Sequence, residues 1–424
     1  MSFYATPSGM TRRHFMRHLA GSAALVGPAM ALTNSFAQQA GDLKRRGKSA
    51  ILLWMGGGPA TIDIWDLKPG AATGGEFKPV STDISGTQIS EHMPETAKIM
   101  KHLSIVRSMS TREADHNRGR YYMHTGYVPN PNIEHPSYGS VLAHELIAQR
   151  QNTLEIPPFV AVGGGSVGPG FLGMAWAPFV VGSNGEVRNL QMGIDQTRLE
   201  QRMATLKLIE GNFIKENRGL AATEHAKILG KTEALMTSKQ MEAFKVNKEP
   251  KEVLERYGNS GFARGCLMAR RLVETGVPFV EVDLGGWDTH NGNFNALRTK
   301  LPELDKAMSA LVTDLVERGL YDDTAIIWMG EFGRTPRING GAGRDHWARS
   351  WSVVVGGAGF ARGAVVGKTN SDGTDVDSEP YSAEDLMASV CHSVGISLET
   401  TFTSRNGRPM KIANGGKVIK ELFT

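Results

Sequence analysis

Cysteine is nearly absent from this chain: Cys266 and Cys391 are the only two in 424 residues. No Cys-x-x-Cys spacing exists, which excludes a cysteine-rich zinc module, a c-type haem attachment and a disulfide framework. Both cysteines sit in apolar helical stretches. They read as buried free thiols, with mutual pairing as the alternative in an oxidising compartment. A membrane-spanning run is missing too, since the mild apolar stretch 19–32 is too short to cross a bilayer. There is no basic stripe, so nucleic acid is not an expected partner. No internal repeat is evident.

What is present is ordinary in bulk. The chain is 40% hydrophobic and 21% charged, enough for one large α/β domain or two smaller ones. Its 50 glycines point to many tight turns and close backbone approaches, as at a ligand site.

The N-terminus carries a recognisable address. Thr11-Arg12-Arg13-His14-Phe15-Met16-Arg17 precedes the apolar run, and Ser35-Phe36-Ala37 offers a small-x-small cleavage site. Residues 1–37 therefore read as a twin-arginine signal, with the export machinery as a partner and a periplasmic or extracellular destination. A basic amphipathic N-terminus is the plainer alternative. The segment holds three arginines and no acid, so its removal takes the formal charge from +4 to +1 (4 − 3). This export route carries folded proteins, including those already loaded with a metal.

Four apolar runs read as buried strands, each ending in glycine. They are Ala50-Ile-Leu-Leu-Trp-Met55, Val277-Pro-Phe-Val-Glu-Val-Asp-Leu284, Thr324-Ala-Ile-Ile-Trp-Met329 and Trp351-Ser-Val-Val-Val355. Continuous rather than alternating hydrophobicity marks a sheet covered on both faces. Helices are expected at Gly261–Thr275, where Gly276 is a natural C-cap, at 302–318 with one apolar face, and at 384–394. Alternating strands and helices predict an α/β fold, a doubly wound, mainly parallel sheet between helices, over residues 45–420. Such sheets bind ligands beyond the C-terminal ends of their strands. Residues 196–257, rich in Lys, Glu, Met and Ala, read as a helical insertion, either a cap or a plain surface pair. Residues 368–378 read as a polar loop.

The polar clusters follow the strand ends. Trp287-Asp288-Thr289-His290 offers a carboxylate and an imidazole two residues apart, a set that suits a divalent metal. The plainer reading has Asp288 capping and His290 packing. In Gly330-Glu331-Phe332-Gly333-Arg334, a carboxylate directly after a buried strand is costly unless paired or cation-bound. Arg334 either pairs with it or offers a fork to an oxyanion. Gly343-Arg344-Asp345-His346-Trp347 adds another acid and imidazole. A fourth element, His116-Asn-Arg-Gly-Arg-Tyr-Tyr-Met-His-Thr-Gly126, combines a polar turn, a helix start and a Thr-Gly stop. His124 reads as packing along that helix. His92, His102, His135, His144 and His392 read as structural or exposed. Trp287, Trp347 and Trp351 either pack or shape a pocket for a sugar ring.

These motifs carry a resemblance. His116–Gly126 resembles the sulfatase signature Cys-x-Pro-Ser-Arg-x-x-Leu-x-Thr-Gly, with Arg120, Met123, Thr125 and Gly126 in register and His116 in the nucleophile's place. Gly57-Gly58-Pro59, Gly285-Gly-Trp-Asp-Thr-His290, Gly330-Glu-Phe-Gly-Arg-Thr-Pro336 and Gly343-Arg-Asp-His-Trp347 resemble the bacterial domain-of-unknown-function family 1501. That family is in turn similar in fold to the alkaline phosphatase and sulfatase superfamily.

The resemblance implies a metal site at the C-terminal edge of the sheet. Asp288 and His290 resemble a metal-holding Asp and His pair, and Glu331 takes the place of a metal-binding Asp. Phe332 stands where a ligand Asn or His is expected. The superfamily's Asp after the first strand is replaced by Gly56-Gly57, with Asp63 and Asp66 the nearest acids. Ser108, Ser110, Thr111 and Thr61 are hydroxyls, none in register with the nucleophile.

The implied activity is a metal-dependent hydrolysis of phosphate or sulfate esters, with a small anionic or carbohydrate-linked substrate. Asp288, His290, Glu331, Asp345 and His346 would hold the divalent metal (Zn, Mn, Ca or Mg). His116, Arg120 and Arg334 would serve catalysis. The alternative is a non-catalytic relative that binds a sulfated or phosphorylated ligand. A lyase or transferase on the same scaffold is a third reading.

Overall fold

Eight strands form one sheet whose order is β8-β2-β7-β6-β1-β5-β3-β4. They are β1 (Ser49–Trp54), β2 (Ser104–Met109), β3 (Phe159–Val162), β4 (Phe179–Val181), β5 (Phe279–Asp283), β6 (Thr324–Met329), β7 (Trp351–Gly356) and β8 (Val365–Val366). This computed structural model describes residues 47–150, 154–185, 195–215, 235 and 238–424. The export signal expected at 1–37 lies outside the described residues.

The sheet is mainly parallel, as the alternation of elements predicts. β1 pairs in parallel with both β5 and β6. Every residue of β1, β6 and β7 is buried, which is why their sequences are mostly apolar. On one face, α1 (His116–Thr125), α2 (Tyr138–Ile147) and α7 (Ala383–Ser393) contribute to a core with Ala50, Leu52 and Trp54 of β1. α3 (Gln196–Lys215) and α4 (Lys251–Tyr257) belong to the expected insertion, whose described residues include these helices and two short 3-10 turns. On the other face, α5 (Gly261–Thr275) packs on β1, on β5 and on α6 (Asn293–Glu317).

Two local expectations change. The Trp351 strand forms, but β7 runs antiparallel to both β2 and β6. Its Gly356-Gly357 end therefore lies at the opposite edge from the ends of β1, β5 and β6, and its start lies at theirs. The helix expected from residue 302 begins instead at Asn293, with Pro302 inside it. Pro302 has no N–H to donate, but Leu297, Leu301, Leu304, Met308 and Leu311 are fully buried along α6, and that packing outweighs one missing bond.

Capping explains several boundaries. Asp115 accepts from the Arg118 N–H to start α1, and Gly126, with φ +72°, ends it. Ser260 and Gly276 do the same for α5. Cys266 and Cys391 are buried free thiols. Among the described residues no helix is long and apolar enough to cross a membrane.

Candidate metal centre

The turn after β1 sets the geometry of the strand edge. Gly57 has φ +114°, and a Cβ there would lie 2.6 Å from the Asp288 nitrogen. Only glycine lets the two turns approach so closely. The Gly57 N–H then donates to Glu331 Oε1 at 2.9 Å. One bare turn thus bridges the segments that follow β5 and β6.

Around it four side chains converge. Asp288 Oδ1 lies 3.2 Å from His116 Nε2, 3.0 Å from His290 Nε2 and 3.3 Å from His346 Nε2. His290 Nε2 and His346 Nε2 are 3.0 Å apart. His116, Asp288 and His346 each present one atom within 4.8 Å of the others, close enough to share an ion. These residues come from the start of α1, the loop after β5 and the loop before β7. The reversed direction of β7 places its entry loop beside the exits of β1, β5 and β6.

Each imidazole is anchored from behind. His116 Nδ1 lies 2.7 Å from Glu331 Oε1, His290 Nδ1 2.6 Å from Asp345 Oδ1, and His346 Nδ1 2.7 Å from the Ala114 carbonyl. All three partners are acceptors, so each Nδ1 is the protonated nitrogen that donates. In a neutral ring the lone pair then sits on Nε2, facing the cluster. Nitrogen lone pairs at 3.0 Å from one another and from a carboxylate oxygen repel unless positive charge lies among them. A proton on a ring or a divalent cation supplies that charge, and imidazole with carboxylate is a donor set that holds such a cation. The residues present therefore fit a metal.

The surrounding charges shift four of these groups. Burial raises the Asp288 carboxyl, but hydrogen bonding and charge from Arg334, with His116 and His290, outweigh it and bring it down to about 2. The Asp345 carboxyl is lowered, chiefly by its bond with His290. Burial lowers His346, and the charges of Arg334 and His116 add to this against the hydrogen bond with the Ala114 carbonyl. His116 is raised, first by the hydrogen bond with Glu331.

Two arginines brace the loops. Arg334 is fully buried; it donates to the carbonyls of Gly57, Gly58 and Arg344 and, at 2.6 Å, to Asp288 Oδ1. The expected oxyanion fork at Arg334 is therefore corrected: each guanidinium nitrogen already donates within the protein, and the group holds Asp288. Arg344 makes a buried two-pronged pair with Asp63, both contacts at 2.7 Å. Asp63 also accepts from Asn293 Nδ2 at 2.8 Å. Asp63 thus locks the loop that carries Asp345 and His346 rather than substituting for an acid after β1.

The remaining candidates lie elsewhere. Arg120 sits over the Trp54 ring at 5.8 Å and donates to the Gly165 carbonyl, so the structure does not bring it into the four-residue cluster. Glu331 and Asp345 stand one step back, behind His116 and His290. Phe332 is buried, with its ring centroid 5.1 Å from that of His116 and 4.7 Å from that of His346. It is an apolar wall where a ligand was expected. Ser108 and Thr61 are buried. Trp287 and Trp351 are buried as well, which favours packing over a sugar platform for those two.

Sequence reading missed a second buried network. His124 Nε2 lies 3.2 Å from Glu281 Oε1, His124 Nδ1 donates to the Arg120 carbonyl, and Ser166 Oγ donates to Glu281 Oε2 at 2.5 Å. It ties α1 to β5 beneath the cluster. The signal was Glu281 itself, a charge inside an otherwise apolar strand that demands a partner.

No curated protein sequence matches the chain. Among solved structures it is similar to Ps i-CgsB, at TM-score 0.42 and 12% identity over 83% of this chain and 73% of that one. It is also similar to the PsFucS1 sulfatase from Pseudoalteromonas sp., at TM-score 0.39 and 15% identity over 87% and 70%. A protein in the alkaline phosphatase superfamily from Vibrio parahaemolyticus gives TM-score 0.39 and 11% identity over 88% and 69%. The motifs at the strand edge all fall within residues 47–423, which match one family model from β1 to the C-terminus, and the chain belongs to that family, described as protein of unknown function (DUF1501).

Proposed function

We propose that this chain is an exported, metal-dependent hydrolase of phosphate or sulfate esters, acting on a small anionic or carbohydrate-linked substrate in the periplasm or outside the cell. One observation carries the reading: the Nε2 atoms of three histidines meet the Asp288 carboxylate at the edge of the sheet where α/β folds bind ligands. The export part rests on the paired arginines and cleavage site of the N-terminus.

In this reading Asp288 and His346, with His290 or His116 beside them, hold the metal, which when bound would polarise an ester oxygen and acidify water. The protein's own groups prepare the site. Arg334 fixes the Asp288 carboxylate, while Asp345 and the Ala114 carbonyl set the tautomers of His290 and His346. Asp288 and His290 remain 46% and 40% exposed, so an ester can reach them from solvent. Phe332 gives the opposite side a dry wall. Two roles fit His116, a base for the attacking water or a further ligand.

The second reading is a non-catalytic protein that binds a sulfated or phosphorylated ligand. Phe332 in a ligand's place and the lack of a hydroxyl among the clustered side chains favour it. Metal analysis of the exported protein, purified without chelator, together with turnover of aryl phosphate and aryl sulfate, separates the two. Bound metal with turnover is expected. Absence of stoichiometric metal and of both activities would overturn the hydrolase reading.

A further inference from the structure

We propose that His116, which stands in the nucleophile's place of a sulfatase-like signature, is a metal ligand together with Asp288 and His346, so that no covalent intermediate forms on this residue. The inference rests on the metal reading above and goes further by assigning His116 and the class of ion.

The orientation of the ring decides the role. Its Nδ1 is committed to Glu331 Oε1 at 2.7 Å. Glu331 is itself fixed by the Gly57 N–H and is 4% exposed. The Glu331 carboxylate therefore holds the ring with its other nitrogen turned inward. His116 Nε2 is buried and finds no hydrogen-bond partner, yet lies 3.2 Å from Asp288 Oδ1. A nucleophile needs its lone pair aimed at an approaching ester. This lone pair is turned toward Asp288 Oδ1, and His116, Asp288 and His346 each present one atom within 4.8 Å of the others.

The spacing fits a coordination shell. Ligand atoms at 2.0–2.1 Å from a tetrahedral zinc lie roughly 3.3 Å from one another. His116 Nε2 and His346 Nε2 lie 3.2 and 3.3 Å from Asp288 Oδ1. All three histidines repeat one plan, with an acceptor behind Nδ1 and Nε2 facing the centre. Glu331 and Asp345 supply two of those acceptors, so they orient ligands rather than bind the ion. That outer arrangement is typical of metal-bound histidine. Imidazole nitrogens with a carboxylate oxygen suit zinc or a similar borderline ion. Calcium and magnesium prefer shells made of oxygen.

The test uses the full-length protein and zinc or cobalt(II) as probe. Wild type should bind one ion, with the intense visible absorption of four-coordinate cobalt. His116→Ala should bind zinc at least about 100-fold more weakly, since losing only an outer hydrogen-bond partner already costs about 10–100-fold. Its cobalt spectrum should weaken and shift. His116→Asp, which restores a donor atom, should recover part of the affinity and spectrum and so guards against a folding defect. Unchanged affinity and spectrum in His116→Ala would overturn the assignment, as would a phosphoryl group trapped on His116 after an alkaline quench with an aryl phosphate. If wild type binds neither ion, the metal reading itself fails, an outcome distinct from an indifferent His116.

Discussion

Asp63 and Arg344, separated by 281 positions in sequence, form a two-pronged ion pair in which both side chains are shut off from solvent. Thr289 Oγ1 donates to Asn293 Oδ1, and Asn293 Nδ2 donates to Asp63, so the pair also ties down the loop that carries Asp288 and His290. Arg344 caps the carbonyls of Thr335 and Pro336 as well. Removing one partner would strand a buried charge. Arg344→Met is expected to lose about 3–5 kcal/mol of stability, read as a lower urea midpoint. An unchanged midpoint would show that the pair does not hold the loops.

Asp345 should matter for metal and hardly at all for folding. Its carboxylate is 54% exposed and lies 2.6 Å from His290 Nδ1. Asp345→Ala frees that ring and removes the charge that polarises it. Metal affinity should fall about 10–100-fold with little change in melting temperature. Competition against a chromophoric chelator measures the first and thermal melting the second. A large loss of stability with full metal affinity would contradict this role.

Acid should destabilise the metal-free protein through Asp288. Its folded carboxyl is brought to about 2, below its ordinary 3.8. The ionised form therefore stabilises the fold above the ordinary value, and the contribution is lost as pH falls toward the folded one. Melting temperature should drop more steeply from pH 4 to pH 2 in wild type than in Asp288→Asn. Parallel curves for the two proteins would exclude this linkage.

Gly57 gives a steric test. Alanine there would combine φ +114° with a Cβ 2.6 Å from the Asp288 nitrogen. Gly57→Ala should cost about 1–3 kcal/mol in backbone strain alone and weaken metal binding by shifting Asp288. Gly70 also has a positive φ, +83°, with nothing within 4 Å of its would-be Cβ. Gly70→Ala should be strained but leave metal binding intact. Equal metal affinity in both variants would show that the close approach at Gly57 is not required.

Much of this was legible locally. The runs at 50–55, 277–284, 324–329 and 351–355 read as strands because burial on both faces leaves no room for alternation. Asp288, His290, Glu331, Asp345 and His346 stood out because each lies in a loop bordering such a run. The start of α6 was not legible, because it is set by bonds from Gly292 and Asn293 to the carbonyls of Gly341 and Ala342. The roles of Arg334 and Asp63 were hidden for the same reason, since their partners lie 46 and 281 positions away.

The sequence by itself determined an α/β chain with a mainly parallel sheet and polar groups gathered at its strand ends, because periodicity and strand-end chemistry are short-range properties. The tertiary structure alone decided that β7 runs backwards, which delivers Asp345 and His346 to the edge where β1, β5 and β6 finish. It alone decided which nitrogen of each histidine faces inward, since that depends on an acceptor brought from a distant segment: Glu331 for His116, Asp345 for His290 and the Ala114 carbonyl for His346.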